Sequence, residues 1–300
     1  MEGSWRQYTV LMAGVVAVSW SAILIRETAA PALVIGSYRM VLAGVPMGLL
    51  AVAQQRRTPE RATSGVVGPM VLSAVFLAAH FAFWIESLKH TSVVTSVVLV
   101  AAQPLYVALL SPFLLHEKVE RRVWYAIAIA SLGAAVMASE DLRDGFGTIA
   151  GDIYALLGGV CSAAYIMVGR RVRPDVSWVR YVGLVYPMTA VMLVAVTIGA
   201  GDPFTGYSTK AYVMMALLAL GPQITGHTAI NWSLAHFSAV IVSIAILLEP
   251  VITTSLAIPI LDETPTGVEF IGGALVLVGV YVALRPRAAD RLAVEVSAAD

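Results

Sequence analysis

The sequence predicts an all-α integral membrane protein with ten transmembrane helices, arranged as two inverted five-helix repeats. Of its 300 residues, 59% are hydrophobic and only 13% are charged, whereas a soluble domain carries about 25% charged residues. The apolar residues form blocks of roughly 18 to 23, and as helices these blocks are long enough to cross the hydrocarbon core of a bilayer. They are too long and too uniformly apolar for the strands of a membrane barrel.

An internal duplication supports this fold class. Five residues recur in the second half at a spacing of 146 positions: His90/His236, Ser92/Ser238, Pro104/Pro250, Glu117/Glu263 and Gly133/Gly279. Upstream, residues 14–20 align with residues 159–165 at a spacing of 145. We therefore predict a first repeat over 1–139, a second over 149–285 and a cytoplasmic tail over 286–300.

Clusters of charged and turn-forming residues separate the apolar blocks into ten predicted spans. The spans are 8–25, 32–53, 66–87, 93–115, 122–139, 149–169, 180–199, 211–233, 239–261 and 267–285. The first block resembles a signal peptide only superficially, because its segment 14–20 has a counterpart in the second half and so belongs to the repeat.

The distribution of basic residues predicts the orientation of the spans. With the N-terminus in the cytoplasm, the cytoplasmic side carries most of the Lys and Arg residues: Arg6, Arg56, Arg57, Arg61, Lys118, Arg121, Arg122, Arg170, Arg171, Arg173, Arg285, Arg287 and Arg291. The other side carries Arg26, Lys89, Arg143 and Lys210. This bias predicts that both termini lie in the cytoplasm and that the chain crosses a bacterial-type inner membrane.

Because each repeat has five spans, the second repeat is predicted to enter the membrane from the opposite side, which is typical of alternating-access carriers. The alternative is a duplication kept for stability alone.

The same landmarks resemble a known family unit. Trp20 at the end of the first apolar run, Arg39 in the second span, and Pro104 followed by Glu117 and Gly133 resemble the EamA-type unit of the drug/metabolite transporter superfamily. The second half repeats the pattern from its Glu-Pro pair onward, so the resemblance covers about residues 8–285. It implies a monomeric ten-helix bundle with a central cavity that exports small amphiphilic metabolites. Within the superfamily, the chain is most similar to YddG-like amino-acid exporters, some of which handle aromatic amino acids.

Two prolines inside predicted spans mark candidate kinks. Pro104 and Pro250 each remove a backbone donor in the middle of a span, and the carbonyl freed by the kink must face protein or a wet cavity. The residues before them are polar, Gln103 and Glu249. The YddG-like amino-acid exporters tend to carry an aromatic residue immediately before this first proline, where this chain has Gln103. The functional interpretation is that both kinked helices line a substrate path, and the alternative is that the prolines only shape packing.

Glu249 is the most costly residue of the chain to insert, because a carboxylate at bilayer depth costs about 2.5 kcal/mol or more. Three roles remain open from the sequence: a proton-coupling site, an anchor for the amine of a substrate, or a structural carboxyl group.

Two polar helix faces are candidates for the substrate site. His80 and Trp84 are four residues apart and share one face of the third span, and His227 and Asn231 do the same in the eighth. If the two halves are inverted, these faces converge on one cavity. The competing interpretation is that the histidines are satisfied interior residues.

Two further aromatic residues are candidates for the same cavity. Trp20 and Tyr165 are repeat partners and candidate cavity-lining rings, with ordinary packing as the alternative. Arg39 is interpreted as structural or gate-forming, and the single cysteine, Cys161, as a packing residue.

Other classes of protein fit the sequence less well. Dispersed histidines and the lack of nucleophile or Walker motifs argue against an enzyme, a metal site or ATP use, so no catalytic residue and no cofactor is expected. Zero net charge with scattered basic residues argues against nucleic-acid binding. The expected partners are a small-molecule substrate, the lipid bilayer and protons. A drug or metabolite permease or uniporter of the same fold is the first alternative, ahead of a channel or an intramembrane enzyme.

Overall fold

The computed structural model describes residues 4–58, 65–91, 93–143, 149–261 and 266–284. Over these residues the protein forms helices and contains no β-strand. The α-helices are α1 (Trp5–Val18), α2 (Ser21–Arg26), α3 (Ala32–Arg57), α4 (Val67–His90), α5 (Val93–Val100), α6 (Gln103–Leu114), α7 (Arg121–Arg143), α8 (Ile149–Val172), α9 (Trp178–Ala200), α10 (Thr209–Leu218), α11 (Thr228–Ser233), α12 (Ala239–Ile246), α13 (Leu248–Leu261) and α14 (Gly267–Leu284). A π-helix, Ala219–His227, joins α10 to α11.

Eight helical segments within the described ranges are long and apolar enough to cross a membrane. They are Trp5–Arg26, Ala32–Arg57, Val67–His90, Ser96–Leu114, Ile149–Val172, Trp178–Ala200, Thr209–Ser233 and Ala239–Ile260. The all-helical membrane class is thereby confirmed. The predicted fifth and tenth spans are helical, as α7 and α14, but they stay predictions as membrane crossings. The predicted tail and Glu263 lie outside the described residues.

Three of the membrane-spanning segments are interrupted. Trp5–Arg26 is broken between α1 and α2, Ser96–Leu114 between α5 and α6, and Ala239–Ile260 at Leu247 between α12 and α13. Pro104 is the second residue of α6 and Pro250 the third of α13. A proline in the first turn of a helix removes no intrahelical hydrogen bond, because the donors there have no helical partner. Each break therefore lies just before the proline, and the proline opens the next helix.

Helix packing joins the two halves of the chain throughout the bundle. The helix α3 packs on α9, α4 on α8, α7 on α14, and α1 on the π-helix and α11. Each of these contacts pairs a helix from the first half with one from the second. A large continuous apolar core, which includes residues from α1 to α14, results from this pairing, and Val34, Ala211 and Met215 form a small separate cluster.

The contact between α7 and α14 is reciprocal. A Cβ atom added to Gly133 would lie 2.5 Å from the carbonyl oxygen of Gly272, and one added to Gly279 would lie 2.7 Å from that of Ala126. Gly279 follows Gly133 by 146 positions, and Gly272 follows Ala126 by the same number. This is the pattern of an interface with local two-fold symmetry. Glycine is required here because the two backbones approach too closely for a side chain.

Replacing Gly279 by alanine is expected to destabilise the bundle by about 1–3 kcal/mol, because the added methyl group overpacks the crossing. The matched control is Gly273→Ala on the same helix, where the new Cβ would lie 3.8 Å from its nearest neighbour, Val251 Cγ2. The measurement is the thermal midpoint of the detergent-solubilised protein. Equal midpoints for the two variants would contradict the close crossing.

Candidate functional site

A small cavity lies where the interrupted helices meet, and both halves of the chain line it. Its volume is about 30 Å³, and its lining residues are Val18, Ser21, His80, Trp84, Val100, Gln103, Ser162, His227, Ile230, Ile246 and Glu249. One water molecule needs about 10–15 Å³ of such space. The cavity therefore has room for a few waters at most.

The structure brings most of the predicted site residues to this cavity. Five line it directly: His80, Trp84, Gln103, His227 and Glu249. Tyr165 and Asn231 are buried and interact with this group, as described below.

Trp20 is the predicted site residue that the structure does not bring to this cavity. It lies between α1 and α2, is 38% exposed and is not part of the cavity lining. Its repeat partner Tyr165, in contrast, is 1% exposed. The two positions match in the sequence but not in their surroundings, because the first span is broken at Trp20 and α8 is continuous through Tyr165.

His80 and Trp84 form a stacked pair on α4. Their ring centroids are 5.6 Å apart with an interplanar angle of 10°. His80 Nδ1 lies 2.9 Å from the carbonyl oxygen of Gly158 on α8, and since a carbonyl only accepts, Nδ1 carries the proton. The indole Nε1 of Trp84 is buried and has no acceptor within the described parts of the chain. This donor is therefore available to a molecule in the cavity.

His227 and Asn231 bring the second polar face to the same place. The rings of His80 and His227 are 6.5 Å apart. Asn231 Nδ2 donates to the Tyr165 hydroxyl at 2.6 Å and to the His227 carbonyl at 2.7 Å. These bonds fix the amide, so that Oδ1 points elsewhere, and this oxygen has no donor among the described residues.

Gln103 and Glu249 occupy equivalent positions before the two prolines but have different partners. Ser162 Oγ donates to Gln103 Oε1 at 2.5 Å, which ties α6 to α8 across the two halves. Glu249 is 9% exposed and lines the cavity. Within the described residues its carboxyl group makes no direct hydrogen bond or ion pair, and its electrostatic partner is Arg39.

Arg39 lies at the centre of the bundle, although the sequence suggested only a structural or gate-forming role. Its side chain is fully buried, its Nε donates to Gln223 Oε1 at 2.8 Å, and its guanidinium carbon lies 4.1 Å from the centroid of the Phe81 ring. A signal was present in the sequence, because a charged residue inside an apolar block is as unusual as Glu249. Gln223 gave no comparable signal.

Two arginines, Arg26 in the first repeat and Arg170 in the second, make similar contacts with backbone carbonyl groups. Arg26 Nη1 donates to the carbonyl oxygen of Leu88 at 2.7 Å, and Arg170 Nη1 donates to that of Leu234 at 2.9 Å. Leu234 follows Leu88 by 146 positions. Arg170 also pairs with Glu117, with Nε 2.6 Å from Oε1. We call these two contacts the end clamps.

Metal binding has no support in the parts of the chain that the structure covers, where no group of three or more His, Cys, Asp or Glu side chains is placed to hold an ion.

Comparison with known proteins assigns the chain to a family. The EamA-like transporter family matches residues 6–139 and 149–285. The chain belongs to the EamA-like transporter family. The predicted family is thereby confirmed, and this EamA protein carries two EamA domains within an integral membrane bundle.

Individual relatives agree with this assignment. The protein is 23% identical over 253 residues to the "Uncharacterized transporter YyaM" of Bacillus subtilis, covering 82% of each chain. It is 21% identical over 249 residues to an "Uncharacterized transporter" of Archaeoglobus fulgidus, covering 82% of this chain and 85% of the relative. A protein of known crystal structure shares the fold with a TM-score of 0.75 at 18% identity, covering 94% of this chain and 97% of the other. None of these relatives distinguishes a YddG-like subtype.

Replacing Trp84 by phenylalanine is expected to weaken substrate binding about 5- to 10-fold, because one hydrogen bond of about 1–1.5 kcal/mol is lost while the ring remains. Trp20→Phe is the control and is expected to bind normally, because Trp20 lies away from the cavity. The measurement is the half-saturating substrate concentration for transport in proteoliposomes. Equal effects of the two substitutions would place the site elsewhere.

Proposed function

We propose that this EamA protein is a secondary-active carrier that exports small amphiphilic metabolites by alternating access. Amino acids, including aromatic ones, are the proposed substrates, and the central cavity is the proposed binding site. The observation that carries the proposal is the convergence, at one cavity between the two halves, of buried polar atoms that have no partner among the described residues.

A buried polar atom without a hydrogen-bond partner costs free energy unless a ligand or water binds it. Trp84 Nε1, His227 Nδ1 and Ser21 Oγ line the cavity without a hydrogen-bond partner in the described chain. Each unsatisfied buried group costs about 1–3 kcal/mol. The other lining residues are half aliphatic and half polar or titratable: Val18, Val100, Ile230 and Ile246, and His80, Gln103, Ser162 and Glu249. A wall that combines polar and apolar side chains suits a small solute that has both polar and apolar parts.

The end clamps support alternating access. Each clamp ties the end of one helix to the end of another, and the two occupy equivalent positions in the two repeats. If the repeats are inverted, as the distribution of basic residues predicts, the clamps close opposite sides of the membrane. Breaking one clamp while keeping the other opens the cavity to one side at a time.

The proposal also includes an orientation. Both termini lie in the cytoplasm, and the protein lies in the inner membrane of a bacterial-type cell.

The proposed carrier works as a monomer and uses no ATP. Either the gradient of the substrate or the proton gradient drives transport. A channel would not need the internal symmetry that this chain carries, since channels usually obtain their symmetry by assembling subunits.

The carrier mechanism predicts trans-stimulation in proteoliposomes. Unlabelled amino acid inside the vesicles is expected to accelerate uptake of the labelled amino acid, because the loaded carrier returns through the membrane faster than the empty one. The panel includes L-phenylalanine and aliphatic amino acids, each measured with and without a pH gradient. Uptake that is independent of internal substrate would indicate a channel and would contradict the proposal.

Glu249→Gln is expected to reduce transport and to abolish its dependence on pH, with folding intact, because the proposed coupling requires a carboxyl group that exchanges a proton. The charged and titratable groups nearest this cavity are Arg39, His80 and His227. Glu86→Gln is the control, since Glu86 is exposed and pairs with His90 at 2.8 Å. A wild-type pH profile for Glu249→Gln would exclude the coupling role.

The clamps predict opposite effects on access to the cavity. In a Cys161→Ala background with Gln103→Cys as reporter, Arg170→Gln is expected to increase labelling by a membrane-impermeant maleimide from the side that carries Arg170. Arg26→Gln is expected to increase labelling from the other side. If both variants are labelled from the same side, the clamps do not gate alternating access.

A further inference from the structure

We propose that Arg39 binds the carboxylate of the substrate and that Glu249 binds its ammonium group, so that the carrier selects zwitterions. This assignment deepens the proposed function and depends on it. It gives Arg39 a binding role, and it makes α3 and the π-helix part of the substrate site.

The guanidinium group of Arg39 has bonding capacity that the described protein does not use. Its Nε is occupied by Gln223 Oε1 at 2.8 Å, and one face rests on the Phe81 ring at 4.1 Å. Both terminal nitrogens, Nη1 and Nη2, are buried and have no acceptor among the described residues. Two adjacent donor groups on a planar cation fit the two oxygens of a carboxylate.

Gln223 holds the guanidinium group in place. Its Oε1 accepts from Arg39 Nε, and its amide also interacts with the Tyr186 hydroxyl. The two terminal nitrogens of Arg39 are therefore left as N–H donors without an acceptor among the described residues, which is the chemistry of an anion site.

Arg39 lies behind the wall of the cavity. The Phe81 ring, which contacts Arg39, lies 5.4 Å from the ring of His227, and His227 lines the cavity. Gln223 and His227 both belong to the π-helix. Such helices are rare and are frequently found at functional sites. The proposal requires that the His227 ring moves aside, so that the guanidinium group reaches a substrate in the cavity.

Glu249 supplies the opposite charge on the cavity side. Its carboxyl group lines the cavity, and its charge interacts with that of Arg39 without a direct ion pair between them. Asn231 Oδ1 adds a buried acceptor without a partner in the described residues. A guanidinium group and a carboxyl group that are not paired directly with each other match the two ends of an amino acid.

Four probes of similar shape separate the two roles: L-phenylalanine, its amide, 3-phenylpropionate and phenethylamine. Binding to the full-length protein in nanodiscs is measured by microscale thermophoresis. Arg39→Gln is expected to weaken phenylalanine and phenylpropionate about 10- to 100-fold, the equivalent of one charged hydrogen-bonded contact. The amide and the amine, which lack the carboxylate, are expected to change less than about 3-fold. Glu249→Gln is expected to show the reverse pattern: the amide and the amine, which carry only an ammonium group, are weakened, and phenylpropionate changes less than about 3-fold.

Arg173 provides the matched control for a structural arginine. It is also buried, and its Nε donates to the Asn231 carbonyl at 2.9 Å while Nη1 donates to the carbonyl of Val176. Arg173→Gln is expected to lower thermal stability without changing the order of the four affinities. Arg39→Lys keeps the charge and is expected to recover part of the phenylalanine binding.

Two results overturn the assignment by itself. One is equal weakening of all four probes in Arg39→Gln, which is what a purely structural arginine would cause. The other is equal affinity of the wild-type protein for phenylalanine and its amide. Failure of all four probes to bind the wild-type protein, together with no counterflow of any amino acid, overturns the proposed amino-acid export and this assignment with it.

Discussion

A polar group inside the hydrocarbon core has no water to bond with, and this constraint governs the whole bundle. It confines the chain to helices whose backbone bonds are internal. It also makes each interruption costly unless protein covers the freed groups. At the break after α1, the carbonyl of Ser19 accepts from Thr253 Oγ1 on α13 at 2.9 Å. Polar atoms that remain unpaired are then expected where a solute or water reaches them, and in the described residues Ser21 Oγ, Trp84 Nε1 and His227 Nδ1 belong to side chains that line the central cavity.

The pairing between halves explains how one cavity comes to be shared. In the described residues the most extensive helix contacts, α3 with α9, α4 with α8 and α7 with α14, each join a first-half helix to a second-half helix. Close backbone crossings such as the one at Gly133 and Gly279 hold the halves together by shape, because lipid gives helices no hydrophobic reason to associate. The reciprocal crossing and the equivalent end clamps are the contacts expected of two copies of one ancestral unit.

Which predicted residues lie together could be predicted from the sequence where a single helix determines the answer. A spacing of four puts His80 beside Trp84, and His227 beside Asn231, on any α-helix. The same spacing cannot show where a helix breaks or which face turns inward, and Trp20, at the break between α1 and α2, is 38% exposed. Only the packed neighbours reveal that the terminal nitrogens of Arg39 have no acceptor among the described residues.

The sequence by itself determined the membrane class, the helical content, the duplication and the family, because these follow from composition, block length and residue spacing along the chain. The tertiary structure decided which of the costly polar residues share a cavity, that the helices break just before the two prolines, and that Arg39 is held by Gln223 from the π-helix. Those outcomes depend on contacts between residues up to 234 positions apart. Periodicity within single helices carries no information about them.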